Sequence, residues 1–166
     1  MKHILDNELF TYFCIHPSTA KGIRELGKAL HLSPTQISRL AAPLLKEDLL
    51  QEKKVGRSRV LGANKQNSRF FLWKRWKNVY LLIESGILEQ FEEHPVRSAV
   101  LFGSFRRGED TEKSDIDIAL SEEVPVDFAH LEKKLKRRLQ VHLLPNAPPT
   151  LLENIRQGIV LWGVMP

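Results

Sequence analysis

Apolar residues recur at helical spacing from Ile4 to Ile15, and again from Lys21 to Leu30, where Ile23, Leu26 and Leu30 share one face. Pro17 ends the first of these helices. After a short His31-Leu32 link, Ser33 is a good N-cap and Pro34 a good first helical residue, so a third helix starts there and turns Ile37, Leu40, Leu44 and Leu45 inward. Pro43 lies inside it and predicts a kink or an early stop, because proline lacks the N–H that a helix interior uses. Leu49 to Lys54 and Ser58 to Gly62 then flank Val55-Gly56-Arg57 and read as a hairpin. Asn67 to Ser85 is apolar over a wide arc and predicts one long helix stopped by Ser85-Gly86, with a further helix from Ile87 to Glu93.

The pattern tightens after residue 95. Ser98 to Phe102 is a short apolar run that ends in Gly103-Ser104, so a buried strand is expected to stop there and turn sharply, with glycine bringing backbone amides close to an anion. Asp115 and Asp117 follow, two apart, with Ile116, Ile118 and Leu120 facing the other way. Period-two alternation puts both carboxylates on one face of a strand, an arrangement that hard cations such as Mg²⁺ accept. Asp127 to Arg138 reads as a helix with Phe128, Leu131 and Leu135 on its apolar stripe, and Gln140 to Leu144 as the next strand.

Charge changes this picture by dividing the chain. Of its 166 residues, 1–94 carry 15 Lys+Arg and 10 Asp+Glu, whereas 95–166 carry 10 of each, so the formal net charge of +5 belongs to the first part. Residues 53–77 hold nine basic side chains and no acidic one: Lys53, Lys54, Arg57, Arg59, Lys65, Arg69, Lys74, Arg75 and Lys77. Such clustering points to an anionic partner. No run of about eighteen apolar residues and no charged leader before an apolar stretch is present, so neither a membrane span nor secretion is expected and the location expected is cytoplasmic. Cys14 is the only cysteine, which rules out an intrachain disulfide; between Phe13 and Ile15 it reads as helix packing.

The set Gly103, Ser104, Gly108, Ser114, Asp115 and Asp117, preceded by an apolar strand, resembles the minimal nucleotidyltransferases of the DNA polymerase β superfamily. The resemblance implies that Gly103 and Ser104 grip the phosphates of a nucleoside triphosphate, helped by Ser114 and by Arg106 or Arg107, while Asp115 and Asp117 hold Mg²⁺. Leu151 to Trp162 looks like that family's closing helix and strand. Active members usually carry a third carboxylate on the middle strand, where this chain reads Val141-His142-Leu143-Leu144. His142 then has two readings, a general base with a pKa near neutrality or a polar strand residue in a pocket without turnover.

Helix, helix, capped helix and basic hairpin, over residues 1–66, resemble a winged helix-turn-helix of the kind found in bacterial and archaeal transcription regulators. By position, Thr35, Gln36, Ser38 and Arg39 become the groove readers and Lys53, Lys54, Arg57 and Arg59 the wing contacts to double-stranded DNA. An amide suits adenine and a guanidinium suits guanine. The expected fold is α+β: a winged helix-turn-helix at 1–66, linker helices at 67–94, and a small nucleotidyltransferase-like domain with a mixed sheet at 95–166. That order looks like archaeal-type regulators that fuse the two modules. The first reading is a homodimeric DNA-binding regulator whose C-terminal domain, a degenerate nucleotidyltransferase, binds nucleotide and metal as a sensor or serves as a scaffold. The alternative is an Mg-dependent enzyme that transfers NMP from NTP to a hydroxyl on a protein, RNA or small molecule, in an antitoxin-like pair or alone.

Overall fold

The computed structural model describes residues 2–125 and 128–165 and divides the chain into two compact units, Met1–Lys77 and Asn78–Pro166. The division falls inside the 67–94 stretch expected to link the two halves. The first unit contains α1 (Lys2–Leu5), α2 (Glu8–Ile15), β1 (Ala20–Gly22), α3 (Ile23–Leu30), α4 (Pro34–Lys46), β2 (Leu50–Val55) and β3 (Ser58–Ala63), and α5 (Ser68–Glu84) runs from it into the second. Phe10, Phe13, Leu26, Ile37, Leu44, Leu61 and Phe70 make a fully buried core there, and Cys14 is buried among them.

Three expectations for this unit need correction. The helix expected from Ile4 to Ile15 is broken at Asp6-Asn7, because Asn7 caps α2 by accepting the Phe10 N–H at 3.1 Å while its Nδ2 donates to the Leu40 carbonyl at 2.9 Å. The helix expected from Lys21 starts at Ile23: Ala20 to Gly22 pair antiparallel with β3, and the Gly22 N–H donates to Glu25 Oε2 at 2.8 Å at the start of α3. Pro43 does not shorten α4, which runs to Lys46 with the proline inside it. The start of α4 is as the sequence predicts. Ser33 Oγ accepts the Gln36 N–H at 3.2 Å and Gln36 Oε1 accepts the Ser33 N–H at 2.9 Å, a reciprocal capping box. β3 lies between β1 and β2 in an antiparallel sheet, and the hairpin turns at Gly56, whose φ is +59°.

The second unit holds α6 (Ile87–Glu92), β4 (Ser98–Phe102), α7 (Gly103–Arg107), β5 (Ile116–Leu120), α8 (Ala129–Leu135), β6 (Leu139–Leu143), a short 3₁₀ turn (Leu144–Asn146), α9 (Pro149–Arg156) and β7 (Ile159–Gly163). Its sheet has the order β6-β5-β4-β7, with β5 and β6 parallel and the other pairs antiparallel, so the mixed sheet and the α+β class are as expected. The start expected at Asp127 for α8 lies outside the described residues, and the helix ends at Leu135, short of Arg138.

β4 is buried along its whole length, and alternation sends its residues into two layers. Ala99 and Leu101 join Leu82, Ile87, Phe91, Ile116, Ile118, Leu131 and Leu135 on one face. Val100 and Phe102 join Ala119 and Ile155 on the other. Asp117 pairs with Phe102 in the β4–β5 register and shares that second face with Ala119. Parallel pairing of Ala119 with His142 brings the imidazole to the same face from β6.

Candidate nucleotide site and nucleic-acid interface

The turn after β4 explains the first site. Gly103 has φ +72°, a left-handed backbone that favours glycine, and a Cβ added there would lie 2.1 Å from Asp117 Oδ2. The chain therefore turns directly against the carboxylate, and no other residue fits without moving one of them. Ser104 follows, half-buried at the start of α7, and Gly108 closes that helix at φ +74°. Asp117 is half-buried, and Asp115 is half-buried just before β5 begins. Burial pushes the Asp117 pKa above its ordinary 3.8; the His142 hydrogen bond opposes this and the nearby Asp115 charge adds to it. The folded state thus holds the Asp117 proton more tightly, so ionising it as pH rises past the ordinary value costs stability. A cation would offset that cost.

His142 Nε2 lies 3.4 Å from Asp117 Oδ1, and its ring stands against the edge of Phe102 at 5.1 Å between centroids, with 66° between the planes. Gln140, paired with Asp117 across the β5–β6 register, is exposed. Among the described residues, no group of three or more His, Cys, Asp or Glu side chains is gathered to hold a metal ion. The Asp117 carboxylate and the His142 imidazole are the two donors that lie together, and a divalent cation between them would take its remaining ligands from phosphate oxygens and water.

The other residues expected at this site are divided by the structure. Arg107 Nε donates to Glu109 Oε2 at 2.6 Å, and Arg107 lies close enough to lower the Asp117 pKa slightly. Arg106 is half-buried on α7. Ser114 Oγ accepts the Thr111 N–H at 2.9 Å, so this serine closes the loop that leads to Asp115. Two residues that the sequence reading missed hold the same loop. Asp110 is 2 % exposed and accepts from Asn78 Nδ2 at 2.7 Å; Asn78 also donates to the Phe105 carbonyl at 2.9 Å, and Arg137 lies 3.9 Å from Asp110. Nothing in the local sequence separates Asp110 from its acidic neighbours, since its partners come from distant parts of the chain.

The second site lies in the first unit. A groove of about 810 Å³ is lined by Arg24 and Glu25 of α3, Thr35 and Ser38 of α4, and Arg57 and Arg59 of the hairpin. Thr35, Gln36 and Arg39 are exposed and Ser38 is half-buried. Gln36 differs from the expectation in one respect: its Oε1 already caps α4, which leaves only the NH₂ group to offer a base edge. Lys53, Lys54, Arg57 and Arg59 are exposed, but Arg59 makes a two-point contact with Glu52, Nε to Oε1 at 2.8 Å and Nη2 to Oε2 at 2.6 Å. Of the nine cations in residues 53–77, Lys74 and Lys77 are buried, with Lys77 Nζ donating to the Leu5 carbonyl at 2.5 Å. Arg24 is a cation of this groove that sequence reasoning missed, because α3 was not expected to flank the hairpin.

Residues 86–164 match the family model described as Polymerase beta, Nucleotidyltransferase. The C-terminal part of the chain is accordingly a nucleotidyltransferase-like domain. No curated protein matches the chain. Among the described residues no helix is long and apolar enough to cross a membrane.

Proposed function

We propose that the chain is a cytoplasmic transcriptional regulator that binds double-stranded DNA through a winged helix-turn-helix and a nucleoside triphosphate with a divalent cation through its nucleotidyltransferase-like domain. The observation that carries the DNA reading is the groove between the capped start of α4 and the basic hairpin, with Thr35 and Ser38 on one side and Arg57 and Arg59 on the other. α4 has the length and polar exposed face to enter a major groove, and the hairpin cations suit the flanking phosphates. Gly103 against Asp117 supports the nucleotide reading, since the turn brings backbone amides and carboxylate together where phosphate and cation would meet. Exposed Leu72 and Trp76, four apart on α5, favour a homodimer, which would space two recognition helices by roughly 34 Å on DNA.

The test is fluorescence anisotropy of the protein on duplex DNA across a salt series. If about four cations contact phosphates, the log-log slope is expected to be roughly −3 to −4. Association insensitive to salt rejects the reading, and sizing that shows only monomer at micromolar concentration rejects the dimer.

A second reading is favoured by His142 beside Asp117. In it the domain is a nucleotidyltransferase: an acceptor hydroxyl oxygen attacks the α-phosphorus, the bond to pyrophosphate breaks, and His142 takes the hydroxyl proton. Transfer of α-label from NTP to a protein or RNA acceptor, absent from the Asp115→Ala, Asp117→Ala variant, establishes this reading; no transfer from any NTP leaves the regulator.

A further inference from the structure

A ring nitrogen of His142 faces the Asp117 carboxylate. Asp117 Oδ2 is covered by the Gly103 backbone, close enough that even a methyl group there would collide with it. The other oxygen, Oδ1, faces His142 Nε2. Both side chains are partly open to solvent, at 23 % and 22 %. The imidazole is steered by the edge of Phe102 and by the parallel β5–β6 register, so its approach to Asp117 is built into the sheet. At 3.4 Å this hydrogen bond is longer than the roughly 2.7–2.9 Å of a charge-assisted one, so it is a weak one that an ion can replace. The same separation suits two ligands of one ion with bonds of about 2.1 Å each.

We propose that Asp117 and His142 together make this cation site selective for a first-row transition ion over Mg²⁺. The proposal rests on the nucleotide-site reading and specifies its metal. Mg²⁺ takes oxygen ligands and gives up its water reluctantly, so an imidazole offers it little. Transition ions accept imidazole nitrogen readily. Asp117 supplies the charge and His142 the preference, with phosphate or water left to complete the shell.

The experiment uses the tag-free full-length chain titrated with MnCl₂ and, in competition, MgCl₂, followed by electron paramagnetic resonance, including pulsed detection of nitrogen-14 coupling to the bound manganese. The expected result is imidazole nitrogen coupling and binding of Mn²⁺ at least about 10-fold tighter than Mg²⁺. His142→Ala should abolish the coupling and the preference while leaving weak Mg²⁺ binding, and His142→Asp should turn the preference towards Mg²⁺. Far-UV circular dichroism and thermal melting identify any variant that fails to fold, for which His142→Asn is the substitute. Equal affinity for the two ions, or coupling that survives in His142→Ala, overturns the proposal. A non-hydrolysable NTP separates it from the reading beneath it. Nucleotide that binds with Mg²⁺ in a protein lacking nitrogen coupling sinks the selectivity and spares the nucleotide site. Failure of nucleotide to bind with either ion sinks the nucleotide site, while nitrogen coupling together with tighter Mn²⁺ than Mg²⁺ binding by the protein alone still upholds the selectivity.

Discussion

Gly103 concentrates the chemistry of the second unit in one backbone position. Its left-handed φ is one reason for glycine and the 2.1 Å approach of a hypothetical Cβ to Asp117 Oδ2 is another, and the two are independent. Gly103→Ala is therefore expected to lose at least about 1–2 kcal/mol from the backbone alone, and to displace either the turn or the carboxylate. Urea denaturation measures the first effect and NTP binding with a divalent cation the second; a variant that matches the parent in both would show that the turn relaxes without harm. The glycine and both aspartates were legible in the sequence, because a strand that stops at Gly-Ser and a strand that alternates acid with isoleucine are local patterns. Their mutual distance was not, since it depends on the register that pairs Phe102 with Asp117. His142 was legible as a residue on the neighbouring strand, and its approach to Asp117 again needed the register of a third strand.

Elements were legible where their ends carry their own signals. Ser33, Pro34 and Gln36 start α4 by local hydrogen bonds alone, and Ser33→Ala is expected to cost about 0.5–2 kcal/mol in the thermal or urea unfolding of the first unit. β1 was hidden for the opposite reason. Ala20 to Gly22 become a strand only by pairing with Gly62, Leu61 and Val60, some forty residues away, and their own preference was overridden by the helical spacing that follows. Between β4 and β5 a carboxylate acts as a clasp. Glu122 accepts from the Arg97 N–H at 3.0 Å and also from the Arg97 guanidinium and the Ser121 hydroxyl, with the hydroxyl the largest cause of a pKa lowered from 4.5 to about 2. A lowered acid contributes stability that is present above pH 4.5 and is lost as pH falls towards 2. Glu122→Gln should accordingly flatten the acid limb of the stability profile in that window and leave its shape near neutrality unchanged. Equilibrium urea unfolding at a series of pH values checks this; an unaltered acid limb would mean that the partly exposed carboxylate is fully screened by solvent.

For the whole molecule, the net charge of +5 favours an anionic partner but overstates how much of that charge is offered to it. Sequence alone counts nine cations in residues 53–77 as equals, yet Lys74 and Lys77 are buried and Arg59 is held by Glu52, whereas Arg24 enters the groove from outside the cluster. Burial and pairing are properties of the folded unit, which is why the count could not separate these roles. The separation can be measured. Under the DNA reading, Arg57→Ala should reduce the salt slope of duplex binding by about 0.9, the share of one phosphate contact, and Arg24→Ala should do the same. Lys77→Ala should leave the slope unchanged and instead lower stability, because the carbonyl of Leu5 loses its buried donor. Anisotropy across a salt series with the three variants, each paired with a urea melt, decides between a groove that carries the contacts and a diffuse cationic surface. In the first case the slope tracks position in the groove; in the second, replacing exposed Lys65, which lies outside the groove lining, would reduce it as much as replacing Arg57.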